Sequence, residues 1–161
     1  MSKRPEWYFK LNPNGAVPTI QFPDGTGLHE SDLLAEMMDT INADKGMKLL
    51  PEDPVERVRV KITAQTYTKF ITFYYGIIYQ GPNEERLEKL NAEFKKLNDY
   101  LADKKFLGGE SFNYADIIVY PHLSRVIFIR GSVYEEEVFN AAKLGDFENV
   151  IAYYERVREM P

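Results

Sequence analysis

Cysteine is absent from the 161 residues. That excludes a disulfide framework, a thiolate zinc site, an iron–sulfur cluster and a cysteine nucleophile among them. Histidine is nearly as scarce. With only His29 and His122, neither a multi-histidine metal site nor a serine–histidine triad is readily built, and no metal is expected. Charge of one sign is never concentrated: 20 basic and 25 acidic residues give a net charge of -5, with the signs interspersed. No basic cluster exists to neutralise a row of phosphates, so no nucleic-acid partner is expected. The longest nearly apolar run, Phe70 to Tyr79, contains Thr72 and Gly76 and falls well short of the ~20 residues that span a bilayer. The opening residues lack the apolar core of a signal peptide, and a cytoplasmic location is the default.

What remains is an ordinary folded composition, 44% hydrophobic and 28% charged, in a length suited to one domain or two small ones. Two compositional zones meet near residue 46. In the first, Ala16–Phe22 reads as a strand, Pro23-Asp-Gly-Thr-Gly27 supplies hairpin chemistry, and Leu28–His29 starts the returning strand. Ser31 stands where a helix N-cap belongs, with Asp32 in the first turn. Behind it Leu33, Leu34, Met37, Met38 and Ile41 recur at helical spacing, and Asp44-Lys45-Gly46 ends the helix. One hairpin and one helix form a marginal unit by themselves.

Residues 47–54 read as a proline-bearing linker, and 55–161 as an all-helical domain. Asp53 as cap and Pro54 in the first turn predict a long helix reaching about Gln80, stopped by Gly81-Pro82. Leu87, Leu90, Phe94, Leu97 and Leu101 step by three and four and predict the clearest helix, with Lys104 and Lys105 at its C-terminal end. A third helix follows Asn113 and is expected to kink at Pro121. A short one is possible around Tyr134–Ala142, and a last one covers Phe147–Glu159. The aromatics Tyr67, Phe70, Phe73, Tyr74 and Tyr75 read as core or interface, His122 as a packing residue, and Glu135-Glu-Glu137 as a solvated face.

Three motifs bear on chemistry. In Asn12-Pro-Asn-Gly-Ala-Val-Pro18 a proline leads directly into an apolar strand, although proline cannot donate to a ladder. It is either an edge-strand proline after a loop or a cis bond that exposes the backbone of Val17 to a peptide-like ligand. Glu30-Ser31 is either a plain cap beside a surface acid or a small anion site next to an acceptor for an ammonium group, suited to an amino-acid head group. Asn113-Tyr-Ala-Asp116 has the spacing of a capping box, a structural feature.

Taken in order, Pro5-Glu-Trp-Tyr8, Asn12–Pro18, Glu30-Ser31, Lys48-Leu-Leu-Pro-Glu-Asp-Pro54, Phe106-Leu-Gly-Gly-Glu-Ser-Phe-Asn-Tyr-Ala-Asp116, Tyr120-Pro121 and Tyr154–Pro161 resemble the cytosolic glutathione transferases, most closely their omega class. The resemblance covers nearly the whole chain. It implies an α+β, mostly helical fold: a partial thioredoxin-like domain (hairpin plus helix, 1–46) followed by an all-α C-terminal domain. It implies glutathione as co-substrate. Val17, before a cis Pro18, would pair with the cysteinyl part, Glu30 and Ser31 would hold the γ-glutamyl head, and Arg4 would meet the glycyl carboxylate. Asn113 and Asp116 would form the family's capping box.

The family's chemistry is glutathione-dependent thiol transfer, dehydroascorbate reduction or conjugation. Its reacting residue, a cysteine in the omega class, lies on a strand–helix–strand segment after which this chain is expected to begin, and the helices that many omega members carry after the Pro161 position are expected to be missing as well. No catalytic residue is therefore assigned, and little or no turnover is expected from these residues. The alternative is a non-catalytic glutathione-binding or dimerising module. The uncovered hairpin edge and helix face predict a homodimer or a poorly stable monomer.

Overall fold

The computed structural model describes residues 4–127 and 135–160. The chain divides into two compact units, Met1–Lys48 and Leu49–Pro161. The class is the expected one, a hairpin and helix followed by an all-helical unit.

The first unit runs α1 (Glu6–Leu11), β1 (Thr19–Gln21), β2 (Gly27–His29) and α2 (Ser31–Ile41). The strands pair antiparallel with Thr19 opposite His29 and Gln21 opposite Gly27. Their turn is closed by Gly25 N–H donating to Phe22 O and by Thr26 N–H donating to the Asp24 carboxylate. This order is the one read from the sequence, with two strands of only three residues. The helix α1 was not foreseen. Its six residues bury nothing completely, so no apolar stripe announces them.

Leu34 is the buried hydrophobic residue of the described first unit. Leu33, Met38 and Ile41 of α2 stay exposed, as the uncovered helix face predicted. Gly27 lets α1 approach the sheet: a Cβ there would lie 2.4 Å from the carbonyl oxygen of Leu11.

The second unit comprises α3 (Pro54–Tyr67), α4 (Phe70–Gln80), α5 (Glu84–Tyr100), α6 (Tyr114–Ile127), α7 (Glu135–Ala141), a 3-10 turn at Leu144–Asp146 and α8 (Glu148–Arg158). Asp53 caps α3, its carboxylate accepting from the N–H groups of Val55 and Glu56. The single helix expected from 54 to 80 is in fact two. Thr68 Oγ1 donates back to the carbonyl of Ala64, and i+3 hydrogen bonds from Ile71 and Thr72 replace the regular ladder. A hydroxyl bonded back onto the preceding turn competes with that ladder. Leu49 and Leu50, in the stretch read as linker, belong to this unit. Leu50 is buried, and Leu49 O accepts from Tyr114 N–H.

The α5 stripe is buried as its spacing requires, with Leu90, Phe94, Leu97 and Leu101 in the core. Each such side chain contributes about 1.5–3 kcal/mol of transfer free energy. Phe94 meets Phe70 edge-on at 5.2 Å and Phe147 at 5.9 Å. The helix stops at Tyr100, before Lys104 and Lys105, which pair instead with Asp103 and Glu110. α6 packs against α3, α4 and α8 and continues through Pro121. No side chain of its own caps α8; Asn98 of α5 does so, its Oδ1 accepting from Asn149 N–H at 3.0 Å. Residues 131–134 and the side chains of Glu135–Glu137 lie outside the described residues, and with them the start of the Tyr134–Ala142 helix and the reading of its acidic run.

Candidate functional site

The hairpin register sets the site. Because Thr19 pairs with His29, Val17 and Pro18, which precede one strand, emerge at the same end of the hairpin as Glu30 and Ser31, which follow the other. The Pro23–Thr26 turn lies at the opposite end.

The loop leading to Val17 is built around the carbonyl oxygen of Ala16. It accepts from the phenol of Tyr8 and from Nδ2 of Asn12 at 2.9 Å. Nδ2 also donates to Thr19 Oγ1 at 3.1 Å, and Asn12 Oδ1 accepts from Asn14 N–H at 3.0 Å. Asn12 is 0% exposed. Buried polar groups are tolerated when bonded in this way, so Asn12 fixes the loop between α1 and β1. Neither the Asn12 side chain nor Tyr8 carries a role in the motifs read from the sequence. The asparagine at the head of an Asn-Pro-Asn-Gly turn is the signal that points to such a role.

Arg4, half-buried, donates from Nε to Gly15 O at 2.5 Å, and its guanidinium lies over the Tyr8 ring at 5.5 Å. It therefore braces the same loop. The Val17–Pro18 bond is cis, and Val17 is 68% exposed.

Across the hairpin the structure corrects one expectation. Ser31 is the first residue of α2, and the cap position falls on Glu30. Glu30 has φ 76° and ψ 110°, so the chain enters the helix through a left-handed turn, and the cap makes no side-chain hydrogen bond. The first-turn N–H groups, which a helix cannot satisfy internally, thus receive no bond from the side chain at the cap. The exposed Ser31 hydroxyl and Glu30 carboxylate stand beside them. His29 Nδ1 lies 2.9 Å from Glu30 Oε1.

In the second unit the side chains of Asn113 and Asp116 each accept a backbone N–H at the start of α6. Asp116 Oδ2 accepts from Asn113 N–H at 2.8 Å, and Asn113 Oδ1 accepts from Ala115 N–H at 2.8 Å. Gly108 leaves room for this. A Cβ there would sit 2.3 Å from Asn113 Nδ2. His122 lies on α6 beside Arg125, and burial pushes its imidazole below the usual range, with Arg125 adding to the effect. Among the described residues no group of three or more histidine, aspartate or glutamate side chains is placed to hold a metal ion, and no helix is long and apolar enough to cross a membrane.

Residues 80–156 match the family model for the C-terminal domain of glutathione S-transferase, and residues 1–41 match the model for its N-terminal domain. The chain is 31% identical over 131 residues to glutathione S-transferase omega-1 of Rattus norvegicus, which takes in 78% of this chain and 54% of that protein. It spans about half the length of the curated relatives it matches. Among solved structures it resembles the Leishmania protein TDR1, a trimeric glutathione transferase, with a TM-score of 0.80 at 25% identity, covering 100% of this chain and 36% of that one. It shares its fold with the glutathione transferase YghU of Streptococcus pneumoniae, solved in complex with glutathione, with a TM-score of 0.77 at 19% identity over 96% of this chain and 61% of that one. The chain belongs to the glutathione transferase family and is similar, within it, to the omega class.

Proposed function

We propose that the first unit binds glutathione at the end of the hairpin where Val17 and Ser31 emerge. The observation that carries this reading is the N-terminus of α2, where the cap side chain makes no bond to the first turn and Glu30 and Ser31 are exposed side by side. A carboxylate suits the N–H groups and the helix dipole, and an ammonium group suits Glu30. A γ-glutamyl head carries both on one carbon. The exposed Val17, next to cis Pro18, offers main-chain groups to the cysteinyl residue, and Arg4 offers a guanidinium to the glycyl carboxylate.

The reaction class is the family's: thiol transfer, dehydroascorbate reduction or conjugation with glutathione as co-substrate. The 161 residues contain no cysteine, so a reacting thiol of the omega kind is not among them. For this chain we favour ligand binding without turnover, in a cytoplasmic homodimer. An interaction module that dimerises without taking up glutathione is the second reading, favoured by the exposed Leu33, Met38 and Ile41 on α2, a face of the sort that partners cover.

Calorimetric titration with glutathione tests the site. The chain is expected to bind, and Ser31→Ala to weaken binding by about tenfold, the loss of one hydrogen bond to a charged group. A folded sample that takes up no glutathione refutes the reading.

A further inference from the structure

Successive side chains of a strand point to opposite faces, so those of His29, the last residue of β2, and Glu30 would ordinarily diverge. They meet instead, with His29 Nδ1 and Glu30 Oε1 2.9 Å apart. The backbone accounts for this: at φ 76° and ψ 110° Glu30 occupies a region that residues bearing a Cβ rarely adopt, and the strand alternation is broken there. An ionised carboxylate only accepts, so the contact places the proton on Nδ1 and fixes the tautomer.

The imidazole is the better anchored partner. Its side chain retains 29% of its accessible surface against 55% for Glu30. It stands on the hairpin face shared with Thr19, its directly opposed residue, and Thr19 Oγ1 is held in turn by Tyr8 and the buried Asn12.

We infer that His29 is a positioning residue for the head-group end of this site. Its Nδ1–H holds Oε1 of Glu30, leaving Oε2 as the acceptor for the ammonium group of a γ-glutamyl ligand. The inference rests on the glutathione reading above. A half-exposed glutamate left free samples several rotamers, and ordering it on binding lowers affinity; His29 removes that cost beforehand.

The test uses the whole chain and two ligands, glutathione and glutaryl-Cys-Gly, which lacks only the amine. His29→Phe is expected to weaken glutathione binding by about three- to tenfold, the effect of ordering one rotamer-rich side chain. It leaves glutaryl-Cys-Gly unaffected, because no ammonium then meets Glu30. His29→Asn, whose side-chain amide donates from near the Nδ1 position, restores glutathione binding. Equal weakening of both ligands by His29→Phe, no weakening of either, or failure of the asparagine variant to restore binding overturns the positioning role. Equal binding of the two ligands by the wild type also overturns the positioning role, whereas a folded wild-type chain that takes up no glutathione overturns the glutathione reading itself, an outcome the variants are not needed to recognise.

Discussion

The phenol of Tyr153 donates a 2.9 Å hydrogen bond to Oδ1 of Asp116 across 37 residues of chain, and both residues are fully buried. The same oxygen accepts from Leu107 N–H at 2.8 Å, while Oδ2 accepts from Asn113 N–H at 2.8 Å. One carboxylate thus joins the loop before α6, the first turn of α6, and α8.

Removing either partner of this contact is expected to destabilise the helical unit unequally. Tyr153→Phe deletes one bond and leaves Oδ1 with the Leu107 amide, a loss of about 1–2 kcal/mol. Asp116→Ala orphans the buried N–H of Leu107, the half-buried N–H of Asn113 and a buried phenol, at a cost of at least about 3 kcal/mol. Urea unfolding followed by far-ultraviolet circular dichroism measures both. Equal losses would mean that the carboxylate does no more than receive the phenol.

Burial pushes the Asp116 carboxyl above its ordinary value, against the opposing pull of the bonds from Leu107, Asn113 and Tyr153. A carboxyl raised in the folded state binds its proton more tightly there than in the unfolded chain. Stability from this group is therefore greatest at low pH and falls as pH rises from the unfolded to the folded value. Relative to Asp116→Asn, which does not titrate, the wild type should gain stability on acidification through that window. A carbon-13 titration of the side chain should find its midpoint above those of the exposed aspartates; a midpoint below them would show that the three hydrogen bonds outweigh burial.

Gly27→Ala would bring a methyl group to 2.4 Å from Leu11 O. That oxygen belongs to backbone, so α1 and the hairpin must separate, and about 1–3 kcal/mol of local stability should be lost. Amide exchange should quicken at Ile20 and Leu28 while α5 and α6 keep their protection. Unchanged exchange in the hairpin would contradict the close approach.

Asn12→Ala takes the acceptor from Asn14 N–H and leaves the Ala16 carbonyl and Thr19 hydroxyl to the phenol of Tyr8, and is expected to cost about 1–3 kcal/mol. By loosening the loop that carries Val17 it should also weaken glutathione binding. Asn12→Asp, with an acceptor in place of Nδ2, should be no better. A variant that binds glutathione as the wild type does would separate the loop from the site.

Much of this was legible in the sequence, for reasons that lie in local chemistry. The stripe from Leu87 to Leu101 has one amphipathic solution. Asp53-Pro54 starts a helix because a carboxylate and a proline suit its first turn, and Pro23–Gly27 closes a short hairpin. The break at Thr68–Lys69 was hidden because threonine is tolerated within helices, and whether its hydroxyl bonds back depends on the surroundings. The short α1 carries no periodic apolar face. At the candidate site the residue types Val17, Pro18, Glu30 and Ser31 stood out, but the left-handed backbone of Glu30 did not, since nothing in a glutamate signals a positive φ. The Asp116–Tyr153 contact depends on how α6 and α8 pack, and spacing along the chain says nothing of it.

The most direct test of the central claim is a nitrogen-15 NMR titration of the chain with glutathione. The account predicts that the largest shifts fall on the amides of Val17, Ser31 and Asp32, saturate with a single dissociation constant, and are diminished in Ser31→Ala. Shifts confined to the helical unit, or none from a folded sample, would contradict it.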